Sequence, residues 1–163
     1  MTELHFTRLN SNGDIAPLLA LYRRAINGID QGLYSGLERQ IWREWADVPG
    51  VADRLFRQGI TLLATREEQL EGFGQIMPDF GINMLYVDPA SGRQGVGSAL
   101  IRAMEQIARH QGAPRIHTRA SHASRPVFQR SGFVAAGPDS IRASTHVRVD
   151  RTIMVKDLRI SRR

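Results

Sequence analysis

Apolar and polar residues alternate around Leu4 and Phe6, which predicts a short first strand. The period then changes to that of a helix. Leu18, Leu21, Tyr22 and Ala25 recur on one face, with Asp14 placed to cap the element and Pro17 tolerated in its first turn. Residues 27–32 break the pattern. Ser35, followed three residues later by Glu38, is a capping-box signature. It opens a second helix with Leu37, Ile41, Trp42 and Trp45 on one face. Pro49-Gly50 ends that helix, and Val51, Leu55 and Phe56 predict one more short helix. From residue 60 the pattern is that of strands. Residues 60–65 and 70–77 form a hairpin around Arg66-Glu67-Glu68-Gln69, and 82–87 add a third strand, stopped by Asp88-Pro89. A long helix is predicted over 94–111. Its apolar stripe is Val96, Leu100, Ile101, Met104, Ile107 and Ala108, and Gly112 and Pro114 stop it. Ile116 and Thr118 mark another strand, Ser124 and Pro126 open a short helix, and residues 133–136 start a further strand. Stretches 141–147 and 151–156 are predicted to pair as a closing hairpin.

The order is therefore βααβββαβαββ. It predicts an α/β chain of mixed, α+β character: a mixed central sheet of about six to seven strands with about four to five helices on it. A length of 163 residues fits one domain, 1–163. Hydrophobic residues at 42% and charged residues at 23% exclude a disordered chain. The absence of Cys excludes disulfide scaffolds, thiolate metal sites and Cys nucleophiles. His5, His110, His117, His122 and His146 have no metal-ligand spacing, so no metal is expected. The start Met1-Thr2-Glu3-Leu4-His5 lacks a signal-peptide pattern, and no apolar run approaches the ~18 residues of a membrane span. A soluble, cytoplasmic protein with no membrane contact is expected.

Charge changes the picture more than composition does. The net value of +6 hides −4 over residues 1–90 and +10 over 91–163. Such asymmetry predicts an anionic partner for the second half. Nucleic acid is the weaker candidate, because no helix-turn-helix or RNA-binding signature occurs and no predicted helix carries an Arg stripe. The preference for Arg, with Lys156 as the one lysine, reads as composition bias.

The chemistry concentrates in Leu85-Tyr86-Val87-Asp88-Pro89-Ala90-Ser91-Gly92-Arg93-Gln94-Gly95-Val96-Gly97-Ser98. A strand ends and glycines open a helix, whose first-turn N–H groups have no intrahelical partner and carry the positive end of the dipole. Gly95 and Gly97 let an anion approach the backbone, and Arg93 adds a full charge, so the segment is a phosphate or pyrophosphate cradle. It is not a P-loop, because Ser98 follows Gly97 with no lysine between them. It is not a dinucleotide fingerprint, because Leu100 stands where Gly or Ala is needed. A strand–helix turn with glycines for packing alone reads the same Gly-x-Gly.

The wider pattern resembles the GCN5-related N-acetyltransferases, the GNAT family. Gly92-Arg93-Gln94-Gly95-Val96-Gly97 is similar to their Gln/Arg-x-x-Gly-x-Gly/Ala motif, with Gly92 at a position the family gives to Gln or Arg. Ser121 falls at the Asn/Ser position of the next motif, and Phe128-Gln129-Arg130-Ser131-Gly132-Phe133 matches its end. The element order resembles the GNAT fold from Leu4 to Leu158. The closest likeness is to a small bacterial branch with Leu-Tyr/Phe-Val-Asp-Pro before the cradle and a Tyr-Ser pair like Tyr34-Ser35.

The resemblance implies acetyl-CoA as co-substrate, held in a split between two central strands. It implies contacts from Leu85, Tyr86, Val87, Arg93, Gln94, Gly95, Val96, Gly97, Ser98, Ser121 and Phe128. The N–H of Val87 is the implied donor to the thioester carbonyl, a contribution of roughly 3–4 kcal/mol in such sites. An acceptor amine, small-molecule by expectation, attacks directly, so no protein nucleophile is needed. The family's strand carboxylate and helix Tyr are replaced by Gly81 or Asn83 and by Phe128. Asp79, then Glu38 or Glu44, are the candidate bases, with Asn83 as holder of a water chain. Tyr34 or Tyr86 would replace the missing acid. Asp88 reads as a loop cap, His122 as the best-placed histidine, and Trp42 and Trp45 as core residues able to edge the acceptor pocket. Asp30, Glu38 and Glu44 are expected to attract a cationic amine, with the acceptor site between the loop at 27–35 and the last hairpin. Dimers are common among relatives. The competing readings are a catalytically silent CoA-binding module, an acyltransferase acting on a protein or aminoacyl-tRNA, and a nucleic-acid-binding domain.

Overall fold

A computed structural model describes residues 2–159. Among them, seven strands form one sheet: β1 (His5–Arg8), β2 (Ile60–Arg66), β3 (Gln69–Ile76), β4 (Gly81–Val87), β5 (Arg115–Ser121), β6 (Val134–Arg142) and β7 (Arg148–Asp157). Their spatial order is β1-β2-β3-β4-β5-β7-β6. Every neighbouring pair is antiparallel except β4 with β5. The helices are α1 (Ala16–Asn27), α2 (Gly36–Glu44), α3 (Val51–Phe56), α4 (Val96–His110) and α5 (Arg125–Arg130). The expected α/β architecture is present, with α3 as the third helix of the first half.

Local chemistry sets the boundaries. Asp14 Oδ1 accepts the Ala16 N–H at 2.9 Å, which starts α1. The Ser35–Glu38 capping box forms in both directions and starts α2. The predicted start of α4 at residue 94 is two residues early. Arg93 and Gly95 both hold left-handed backbone, at φ +60° and +78°, so the helix begins at Val96. The closing hairpin also differs. Residues 134–136 and 141–142 belong to one strand, β6, which begins one residue later than expected and runs on through Pro138, and 143–147 form the turn. Proline is tolerated there because β6 is the sheet edge, and an irregularity between Ala135 and Gly137 absorbs the local mismatch.

Two cores lie on opposite faces of the sheet. Leu100, Ile101, Met104 and Ala108 of α4 bury one face together with Phe128 of α5. Leu18, Leu21, Tyr22 and Ile26 of α1 bury the other, with Phe56, Phe73 and Met84. Gly72 and Gly74 of β3 let α4 lie close, since a Cβ on Gly74 would stand 2.7 Å from Met104 Cε.

Candidate active site

The parallel pair β4–β5 is joined only at Gly81↔His117 and Ile82↔Thr118. Beyond that point β5 stays with β7 as far as Ser121, while β4 stays with β3 as far as Val87. The two strands therefore part at their carboxyl ends, where open sheets of this kind bind ligands. Two features drive the parting. The β3–β4 register shifts beside Asn83, so β4 bulges there. The Thr118 hydroxyl donates to Ile82 O at 2.9 Å, so a side chain takes the acceptor a next ladder bond would need. The Asp88 N–H bonds Glu71 O at 2.8 Å, which fixes the alternation along β4. The N–H groups of Leu85 and Val87 consequently face away from β3, into the split.

The split opens a cavity of about 760 Å³. At one end lies the cradle, with Leu85, Val87, Arg93, Gly95, Val96, Gly97 and Ser98 along the wall. No side chain caps α4, and a Cβ added to Gly95 would meet nothing within 4 Å, so its first-turn N–H groups are open to an anion. Ser121, Ser124, Val127, Phe128 and Arg130 line the facing wall. Phe128 is buried edge-on against Phe133 and brings no hydroxyl.

At the other end Trp42, Trp45 and Tyr86 stand against Ile29, Ile41 and Val51. Trp42 Nε1 donates to the Tyr86 hydroxyl at 3.3 Å, and Tyr22 packs edge-on against both Trp45 and Tyr86. Burial pushes the Tyr86 phenol up to about 12, so it stays protonated. The opposite wall carries Arg119, Arg142 and Arg151. Arg151 Nε and one terminal nitrogen bind Asp139 Oδ2 at 2.7 and 2.6 Å, and Arg119 approaches the same carboxylate at 3.8 Å.

Asn83 also lines the cavity, at the end of a directed hydrogen-bond chain. Thr61 Oγ1 donates to Phe56 O at 2.7 Å. Gln75 Nε2 donates to Leu55 O at 2.6 Å and to Thr61 Oγ1 at 3.2 Å. Both amide hydrogens of the fully buried Gln75 are thus spent, and its Oε1 accepts from Asn83 Nδ2 at 3.0 Å. This fixes which way round the Asn83 amide sits and leaves its Oδ1 free as an acceptor.

The remaining expected residues stand elsewhere. Asp79 is in the β3–β4 turn at the closed end of the split, 72% exposed, where it accepts the Gly81 N–H and pairs with His117; it does not line the cavity. Tyr34 is buried outside it. Its hydroxyl donates to Asp150 O and accepts the His122 N–H, both at 2.9 Å, and burial raises its pKa. Gln94 is exposed on the loop beside the cradle. Glu38 is held in the capping box, Glu44 accepts from Gln40, and Asp30 closes a turn to Gly32. Asp88 caps the Ala90 N–H and binds Arg24; these bonds outweigh its burial and hold its carboxyl below the usual range. Arg119, Arg142, Arg151 and Gln75 escaped the sequence reading. The signal for Arg151 was its place on one face of β7 with Val149 and Ile153, two residues to either side.

Residues 36–148 match the acetyltransferase (GNAT) domain. The chain belongs to the GNAT family. No curated protein sequence matches this GNAT chain. Solved structures do. A GCN5-related N-acetyltransferase from Rhodopseudomonas palustris, described as an aminotransferase, class II, superposes with a TM-score of 0.90 at 25% identity, covering 97% of this chain and 98% of its own. The PaiA N-acetyltransferase of Thermoplasma acidophilum, in complex with coenzyme A, gives 0.75 at 17%, over 95% and 99%. YncA of Salmonella typhimurium, with acetyl-CoA, gives 0.65 at 15%, over 99% and 98%. Among the described residues of the GNAT chain, no helix is long and apolar enough to cross a membrane.

Proposed function

We propose that this GNAT domain, spanning 1–163 as one cytoplasmic unit, is an N-acetyltransferase that moves an acetyl group from acetyl-CoA to a small primary amine. The observation that carries the proposal is the parting of β4 from β5 over an open helix N-terminus. The cavity fits the donor: the cradle at residues 93–98 suits a pyrophosphate, and the N–H groups of Leu85 and Val87 suit an amide-bearing chain laid along β4 as an extra strand. Acetyl-CoA, when bound, supplies an activated acyl carbon with a thiolate leaving group.

The chain's own residues then have three tasks. A β4 N–H, that of Val87 in this reading, donates to the thioester oxygen as charge grows there. Asn83 Oδ1 accepts a hydrogen from the amine and aims its lone pair. The aromatic wall of Trp42, Trp45 and Tyr86 excludes water. The amine nitrogen bonds to the acyl carbon as the carbon–sulfur bond breaks, and the proton it sheds goes to the departing thiolate, which leaves as the thiol. Asp79 and Tyr34 have no part in this proposal. Calorimetry with coenzyme A and a thiol-release assay over a panel of amines test it. Micromolar CoA binding with release for at least one amine is expected. Binding without release for any amine would favour a silent CoA-binding module, which the absence of a hydroxyl at Phe128 makes a real alternative. No binding near millimolar CoA would refute the cradle.

A further inference from the structure

We infer that the acceptor is an apolar amino acid, its carboxylate held by Arg151 and its side chain laid against Trp42, Trp45 and Tyr86. The inference rests on the acetyl-transfer reading for the location of the acceptor end, and it stands on the charges of the cavity wall. Among the described residues lining the cavity there is no Asp, Glu or His. The acceptor end instead carries Arg119, Arg142 and Arg151. The expectation of a carboxylate-lined site for a cationic amine is therefore reversed.

Arg151 is the placed member of this set. Its side chain is 26% exposed and is anchored to Asp139 through two of its five N–H donors, so its position is fixed while donors remain. It lines the same cavity as Trp42, Trp45 and Tyr86. Arg151 and Arg119 share one carboxylate, so the trio with Asp139 keeps a net positive charge. Arg142 adds another, exposed at the rim of β6. Glu38 and Asp150 lie near Tyr34 but do not line the cavity. A polyamine or lysine-like acceptor would bring a second cation here with no carboxylate to receive it. An amino acid brings a second anion to a trio in which Arg119 and Arg151 share the single carboxylate of Asp139, and its amino group enters neutral.

Product binding reads the inference without turnover. Calorimetry on the CoA-loaded protein compares N-acetylphenylalanine, N-acetylphenylalaninamide and N-acetylputrescine. The acid is expected to bind at least tenfold more tightly than either of the others. Arg151→Gln should reduce the acid-over-amide ratio to below threefold with CoA affinity unchanged. Arg142→Gln, on an exposed rim, should lower the ratio in part and serves where Arg151→Gln does not fold. Equal affinity for acid and amide, tighter binding of the cationic product, or no binding of the acid at ten millimolar overturns the inference. Preserved discrimination with no thiol release from any amine would sink the acetyl-transfer reading and leave the anion site standing.

Discussion

Asn83 shows how much a single amide depends on what lies beneath it. Its Oδ1, and not its NH2, is left free at the cavity lining only because Gln75 has spent both hydrogens on Leu55 O and Thr61 Oγ1. Asn83→Ala is expected to lower kcat about tenfold or more, leaving CoA affinity unchanged. Gln75→Leu should lower kcat about threefold to tenfold by freeing the Asn83 amide to rotate. In the double variant the Gln75 change should add nothing further to kcat, because the two residues act as one unit. Independent, multiplying effects on kcat would mean Gln75 serves the core alone. Asn83 was legible in the sequence, since it sits on the strand before the cradle. Gln75 was not. In the run at 70–77 it reads as the polar half of an alternating strand, and its burial exists only because α3 lays the Leu55 and Phe56 carbonyls over β3.

Elements join across the split through Tyr34. The residue precedes α2 in the first half of the chain, yet its hydroxyl ties the start of the β5–α5 loop at His122 to β7 at Asp150. Tyr34→Phe leaves the His122 N–H without that acceptor, at a cost of about 1–3 kcal/mol. A lower denaturant midpoint at unchanged m-value is the expected readout, with a raised KM for the amine and an unaltered CoA affinity. An unchanged midpoint would remove the strut from the account. The helices α2 and α4 were legible because capping box, apolar stripe and glycine stop agree with one another. The strut was not, because it joins residues more than eighty positions apart in sequence. The last hairpin was misread for a local reason: Gly137-Pro138 looks like a break until the strand is known to lie at the sheet edge.

Over the whole molecule, the sign change at residue 90 becomes a division of labour. Every arginine that lines the cavity, Arg93, Arg119, Arg130, Arg142 and Arg151, comes from the positive second half, and none of the eight before residue 90 does. The acidic first half supplies apolar and aromatic wall instead, so its carboxylates are not there to take a proton. Tyr86, with its phenol near 12, is no base either. The acceptor must therefore arrive already neutral, and the fraction that is neutral falls tenfold for each pH unit below its own pKa. The acceptor kcat/KM is expected to rise with unit slope over about pH 6–9 and to level at the pKa of the amine. Replacing the acceptor by one of lower pKa should move the inflection down by the same amount. A fixed inflection, indifferent to the acceptor, would instead assign the proton to a side chain of the protein such as His122. That outcome would require the His122 ring, which packs on Tyr34 outside the cavity wall, to reach the amine in the working complex.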